Sequence, residues 1–292
     1  MLRSTIAAVL LAATTLAHAA ASQCPARFFN GDAPDLYNAR LEHNTKALCF
    51  DAFAVLYSGV SLTPLWSAEH ITRQSVQSAR ELVRTDTFHE EPALARMPHP
   101  TLEDYVHSGF DRGHMSPNGD MPDKTAQGQS FSLANMIPQS PENNRGLWAG
   151  IESSVRDMAV RDGEVYVVTG PMFEGSSIKR LNGRVLVPTH LYKAVYNPRK
   201  QQAAAYITPN GPGEDYEVVS IAQLQQRTGI NPFPALPEAA RNRAMVLPPP
   251  QSASSNSHGT PRGNRGSGLE NELIRWMERE LMHLLHQLIR AL

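Results

Sequence analysis

The chain has 292 residues, of which 41% are hydrophobic, with 27 Lys and Arg against 28 Asp and Glu for a formal net charge of −1. Such a chain is long and apolar enough to bury a real core in one domain of about 220 residues, which excludes a disordered or fibrous protein. Near-neutrality excludes polyanion binding by overall attraction, so any basic footprint has to be local, and two cysteines exclude a disulfide-knit miniprotein or a Cys-rich metal module.

Residues 1–21 read as a signal peptide. Arg3 supplies the positive start, Ile6 to Leu16 a short apolar run, and Ala17-His18-Ala19 and Ala19-Ala20-Ala21 small-x-small cleavage sites. The run is too short for a typical spanning helix, so the mature chain is expected to be exported, periplasmic or secreted, without a membrane span. In an oxidising compartment the lone pair Cys24 and Cys49 is expected to form one disulfide, tying the mature N-terminus to the start of the first strand.

Phe50 to Tyr57 is aromatic and β-branched, Ser58-Gly59 marks a turn, and Leu65 to Thr72 reads as a second strand. Residues 71–83 fit either a short helix or the end of that strand. Residues 85–108 lack a period and contain Pro92, Pro98 and Pro100, so a long irregular loop is expected. Phe110 to Met115 and Phe131 to Ile137 read as extended chain, separated by a polar, turn-rich stretch over 118–129. Ser140 as N-cap and Pro141 at the first helical position start a helix that ends near Gly163. On one continuous helix Asn144, Trp148 and Glu152, spaced by four, share a face. Residues 164–170, 188–196 and 202–208 then read as antiparallel strands, and Pro232, Pro234 and Pro237 close a domain over 22–246. The Pro-, Ser- and Gly-rich residues 247–268 read as a flexible linker. Residues 269–292 are expected to form an amphipathic helix through Leu273, Met277, Leu281, Leu284, Leu288 and Leu292. Its mixed charges favour self-association or docking on a partner over a membrane surface.

The chemistry concentrates in Asp111-Arg112-Gly113-His114. A neutral imidazole accepts a proton from water near pH 7, and a guanidinium holds a phosphate through two parallel hydrogen bonds. A glycine lets the backbone approach closely, and a carboxylate orients metal-bound water. Arg73, Arg80, Arg84, Arg96 and Arg112, all before or within this motif, offer a local basic patch.

Asp-Arg-Gly-His, then Asn135-x-x-Pro138-Gln139, then Asn144-x-x-x-Trp148-x-x-x-Glu152 occur in close succession. In this combination, and in the later segments 165–171, 187–193, 203–210 and 228–234, the chain resembles the DNA/RNA non-specific endonuclease family over residues 48–240. The resemblance implies an α+β fold, with a central, mainly antiparallel sheet flanked by helices and carrying a ββα-metal (His-Me) finger. It implies hydrolysis of DNA or RNA phosphodiesters with little sequence preference, leaving 5′ phosphates. His114 is then the general base and Asn144 the direct ligand of one Mg²⁺, with Mn²⁺ or another divalent cation as the alternative. Glu152 and Asp111 orient its waters, and Arg112 holds the phosphate together with a second arginine, Arg84 or else Arg80. Asn135 falls in the family's site, where it either braces the base and metal shell or caps backbone. Two other functions fit less of the pattern: a nucleic-acid-binding module without catalysis, and a hydrolase of another phosphodiester.

Overall fold

Alternation along the strands builds the fold. In the computed structural model, which describes residues 24–251, seven strands form one antiparallel sheet. The expected signal peptide, the C-terminal helix 269–292 and the linker beyond Gln251 lie outside the described residues. In chain order the main elements are β1 (Thr45–Cys49), β2 (Phe53–Ser58), β3 (Thr63–Thr72), α1 (Arg73–Glu81), β4 (Asp111–His114), α2 (Lys124–Ser130) and β5 (Met136–Gln139). There follow α3 (Pro141–Arg145), α4 (Leu147–Asp162), β6 (Glu164–Met172), β7 (His190–Asn197), β8 (Gln202–Pro209), β9 (Glu217–Val219) and α5 (Ile221–Thr228). The sheet order is β9-β8-β7-β6-β3-β2-β1, while β4 and β5 pair separately as a two-stranded ribbon.

Successive side chains point to opposite faces of a strand, so each strand of the sheet serves two cores. Ile71, Val165, Val167, Leu191 and Val195 face α4 and pack with its Trp148, Ile151, Val155 and Met158. Trp66, Ala68, Val168 and Ala194 face the other way, against Ile221 and Leu224 of α5, Phe233 and Leu236. Burial of these side chains stabilises the fold by about 25 cal/mol per Å² of apolar surface. Among the described residues no helix is long and apolar enough to cross a membrane.

Four local expectations are refined. Residues 73–81 are helical: Thr72 caps α1 by accepting from the Ser75 N–H, in a reciprocal capping box. The stretch 118–129 contains a helix, because Asp123 accepts from the Thr125 and Ala126 N–H groups and starts α2. The expected helix over 140–163 is two, broken at Gly146 (φ −107°, ψ −107°). Asn144 therefore sits on α3 and does not share a continuous helical face with Trp148 and Glu152. Finally, the linker does not begin at Leu247. Met245 and Leu247 are buried against α4, and the chain stays on the domain as far as Gln251.

Cys24 and Cys49 are disulfide-bonded, with Cα atoms 5.9 Å apart and a sequence separation of 25. The bond joins the turn at Pro25–Arg27 to the end of β1, an edge strand that the sequence reading does not contain. Closing a loop of this length stabilises a fold by roughly 3 kcal/mol in the chain-entropy model. Denaturant titration of the oxidised protein and a Cys24→Ser/Cys49→Ser variant is expected to show a loss of that order. Equal midpoints would mean the bond adds no stability.

Candidate active site

The ribbon β4–β5 sets the backbone on which the site is built. Its register places Asp111 opposite Gln139, Gly113 opposite Ile137 and His114 opposite Met136. Only glycine fits at 113, because a Cβ there would lie 2.0 Å from Gln139 Oε1. Beyond His114 the chain is gripped by Asn135, which is fully buried. The Asn135 Nδ2 group donates to the carbonyls of Ser116 and Ser130, both at 2.9 Å. Its Oδ1 accepts the Ser116 N–H at 3.0 Å, and its main-chain oxygen accepts the Met115 N–H. Of its two readings, the geometry is that of a backbone cap, and the backbone capped is the turn directly after His114.

A cleft of about 620 Å³ opens beside the ribbon. Arg84, Asp111, Arg112, His114, Asn144 and Glu152 all line it, together with Phe88, Arg145 and Arg156. Arg80, the other choice for the second arginine, instead pairs with Asp157 at 3.1 Å on the surface. Six of the seven residues selected from sequence thus converge on one cleft, and the seventh, Asn135, holds the turn beneath it.

His114 is buried between two phenylalanines. Its ring meets Phe131 edge-on at 5.0 Å and Phe88 at 5.8 Å. Burial, and after it Arg84, push its pKa down to about 3 against the opposing pull of Asp86. The imidazole is therefore neutral at physiological pH, and its buried Nε2 has no hydrogen-bond partner among the described residues. The same two rings carry the arginines: Arg112 lies over Phe88 at 4.4 Å and Arg84 over Phe131 at 5.5 Å. The imidazole and two guanidiniums are thus held in register by one aromatic pair.

At the start of the same strand, Asp111 accepts two bonds from Arg145, at 2.6 and 2.9 Å, and one from Asn144 Nδ2 at 2.9 Å. Partial burial works to raise its pKa, but the Arg145 and Asn144 bonds outweigh it and hold the carboxyl below the ordinary range. Glu152 behaves oppositely. Burial raises its pKa to about 7, against the pull of Lys193 and Arg156 and with a push from Asp120. Two carboxylates in one cleft therefore differ in proton affinity, an arrangement typical of sites that divide acid and base tasks.

A family model for DNA/RNA non-specific endonucleases matches residues 33–239. The chain belongs to the DNA/RNA non-specific endonuclease family. A relative from Xenopus laevis, "Nuclease EXOG, mitochondrial", is 33% identical over 213 residues, covering 66% of this chain and 59% of that protein. The chain therefore spans less than two thirds of that relative's length. "Nuclease C1" of Cunninghamella echinulata var. echinulata is 37% identical over 175 residues, 55% of this chain and 69% of that one. Among solved structures, a chain of the EndoG/EndoGI complex superposes with a TM-score of 0.57 at 24% identity, covering 63% of this chain and 84% of that chain. That likeness is one of fold, and it agrees with the α+β architecture and ββα-metal finger expected from sequence.

Enzymes of this family depend on a divalent cation, and the residues here fit one. Asn144 donates its Nδ2 to Asp111, which leaves its Oδ1 as an acceptor, and Asp111 and Glu152 line the same cleft. An all-oxygen set suits a hard cation such as Mg²⁺ or Mn²⁺. Among the described residues no three His, Cys, Asp or Glu side chains gather to cage a metal. A cation here would rest on Asn144 and water.

The sequence reading misses several cleft residues. Arg156 stands four residues after Glu152, a helical spacing that is visible in sequence. Its partner Asp120, bonded at 2.9 Å and buried, comes from a turn far away and gives no such signal. Phe88 lies in the aperiodic loop. It reaches the site because His89 pairs with Ser132 and Glu91 accepts the Ser132 hydroxyl at 2.8 Å.

Proposed function

We propose that this protein is an exported, metal-dependent endonuclease that hydrolyses phosphodiesters of DNA, RNA or both with little sequence preference. The observation that carries this reading is a neutral, buried imidazole facing the same cleft as four arginines and an oxygen-donor set. His114 takes a proton from a water as that water attacks phosphorus and the bond to the 3′ oxygen breaks, leaving a 5′ phosphate. Arg112 and Arg84 hold the phosphate from their aromatic supports, and such contacts to the backbone carry no base preference. Asn144 would hold the cation, and Asp111 and Glu152 would orient the waters around it. Mg²⁺ bound there would neutralise charge that develops on the phosphate oxygens. Export is supported by the signal-like residues 1–21 and by the Cys24–Cys49 bond. Self-association or partner docking stays assigned to the helix expected over 269–292.

The test is an assay on plasmid DNA, RNA and a small phosphodiester, with Mg²⁺ and with chelator. Cleavage of either nucleic acid that stops on chelation is expected. No cleavage of either with Mg²⁺ or Mn²⁺ present would overturn the reading, and cleavage of the small diester alone would favour a different phosphodiesterase.

A further inference from the structure

Residues 244–251 look like the start of a linker in sequence, yet they are built into the domain. Ala244 pairs with Ala203, and the Met245 N–H donates to the Ala203 carbonyl at 2.9 Å. From there the chain crosses α4, with Met245 and Leu247 buried in the cluster that contains Trp148, Ile151 and Val155. The Tyr206 hydroxyl donates to the carbonyl of Pro248, and the Ser154 hydroxyl to that of Pro249 at 2.8 Å. The Gln251 N–H donates to the Gly150 carbonyl at 3.1 Å, and its side-chain amide to Asp157. Contacts at Ser154 and then Gly150 show the direction: the segment runs antiparallel to α4, towards the helix start. Three consecutive prolines keep it stiff, because each fixes its own φ.

Gly150 is where the two backbones meet most closely. A Cβ there would lie 2.3 Å from the Gln251 carbonyl oxygen and 3.2 Å from its nitrogen. Gly150 follows Ala149 and precedes Glu152 by two residues, and both of those line the cleft. The start of α4 packs on the core through Leu147, Trp148 and Ile151, but it has no side-chain cap. Its N-cap is Gly146, which has no side chain to offer the first N–H groups, and the break there uncouples it from α3.

We propose that residues 244–251 are a positioning strap for the helix that carries Glu152, with Gly150 and Gln251 as its positioning residues. This inference rests, for its effect on catalysis, on the nuclease reading. The strap fixes the first turns of α4, and through them the distance between Glu152 and the Asn144–Asp111 wall. Misplacing a catalytic group by a fraction of an ångström lowers the rate of the chemical step more than it weakens binding.

Two substitutions in the full-length chain test it. Gly150→Ala inserts a Cβ where Gln251 lies. Alanine is the better helix former, so an unstrapped helix would gain stability from the change. Gln251→Pro leaves α4 untouched, continues the proline run, and removes both the N–H and the amide bond. Each is expected to lower kcat on DNA about tenfold with KM nearly unchanged. Amide exchange in residues 148–154 should quicken. Because both act by lifting one strap, the double variant should match the single ones rather than multiply them. Parental kcat in both variants with faster exchange would overturn the catalytic role. Strictly additive losses, or unchanged exchange in both, would overturn the strap itself. If the parent cuts no nucleic acid, the nuclease reading has failed, and the exchange measurement still decides whether the strap holds the helix.

Discussion

His114→Ala is expected to lower turnover on DNA or RNA by about 10²–10⁴, the usual range for loss of a general base. No other histidine lines the cleft among the described residues, so no second imidazole is placed to substitute. The rings of Phe88 and Phe131 that flank His114 also support Arg112 and Arg84, so the two guanidiniums proposed to hold the phosphate keep their supports when the imidazole is lost. KM should therefore change less than kcat. The folded-state pKa of about 3 also gives the loss a signature in stability. An unfolded histidine titrates near 6.5. Between about pH 6.5 and 3 the unfolded chain takes up a proton that the folded chain refuses, so the parent loses stability as the pH falls through that window. Above it, this contribution is fully present. Unfolding free energies of His114→Ala should fall less steeply over the same window. Parental turnover in the variant would remove His114 from its role, and an unchanged slope would mean the imidazole is not held neutral by burial.

How far the sequence can be read follows from which signals are local. The run of β-branched and aromatic residues Val165, Tyr166, Val167 and Val168 shows a buried strand without help from the rest of the chain, and Gly163 ends α4 as a positive-φ glycine should. The finger is legible for a similar reason: Asp111 to His114 are neighbours on one short strand, and glycine at 113 is demanded by the Gln139 side chain beside it. α2 is not legible, since Lys124 to Ser130 carries no apolar period and is set by one capping side chain, Asp123. The Gly146 break is hidden because Asn144, Trp148 and Glu152 keep a helical spacing in sequence that the backbone does not keep in space. Phe88 enters the cleft from one distant segment, and Asp120 reaches Arg156 from another, through contacts that no local pattern encodes. The strap inverts the usual signal. A proline run reads as a linker because it lacks N–H donors, but its carbonyls serve as acceptors for Tyr206 and Ser154.

Asn144→Ala is expected to act on the cation rather than on the base. As the one direct protein ligand proposed, Asn144 should matter at least as much as groups that only orient ligands, whose loss typically weakens metal affinity by about 10–100-fold. The midpoint of a Mg²⁺ titration of activity should rise by that factor or more. At saturating Mg²⁺ much of the turnover should return, because the rest of the wall survives the change. Asp111 loses its bond from Asn144 Nδ2 but keeps both bonds from Arg145, so its carboxylate stays in place and ionised. Glu152→Gln provides the contrast. It preserves shape but removes a carboxyl whose burial raises its pKa to about 7. Folding stability that this carboxyl contributes is present below its unfolded pKa and is lost as the pH rises through about 7, because its charged form is disfavoured in the folded state. Glu152→Gln should therefore flatten stability between about pH 4.5 and 7, where Asn144→Ala leaves it unaltered. Calorimetric Mg²⁺ binding to the two variants and the parent, read beside activity, separates a ligand from an orienting group. If Asn144→Ala binds Mg²⁺ as tightly as the parent, the cation is held elsewhere, and the oxygen set on this wall of the cleft has another purpose.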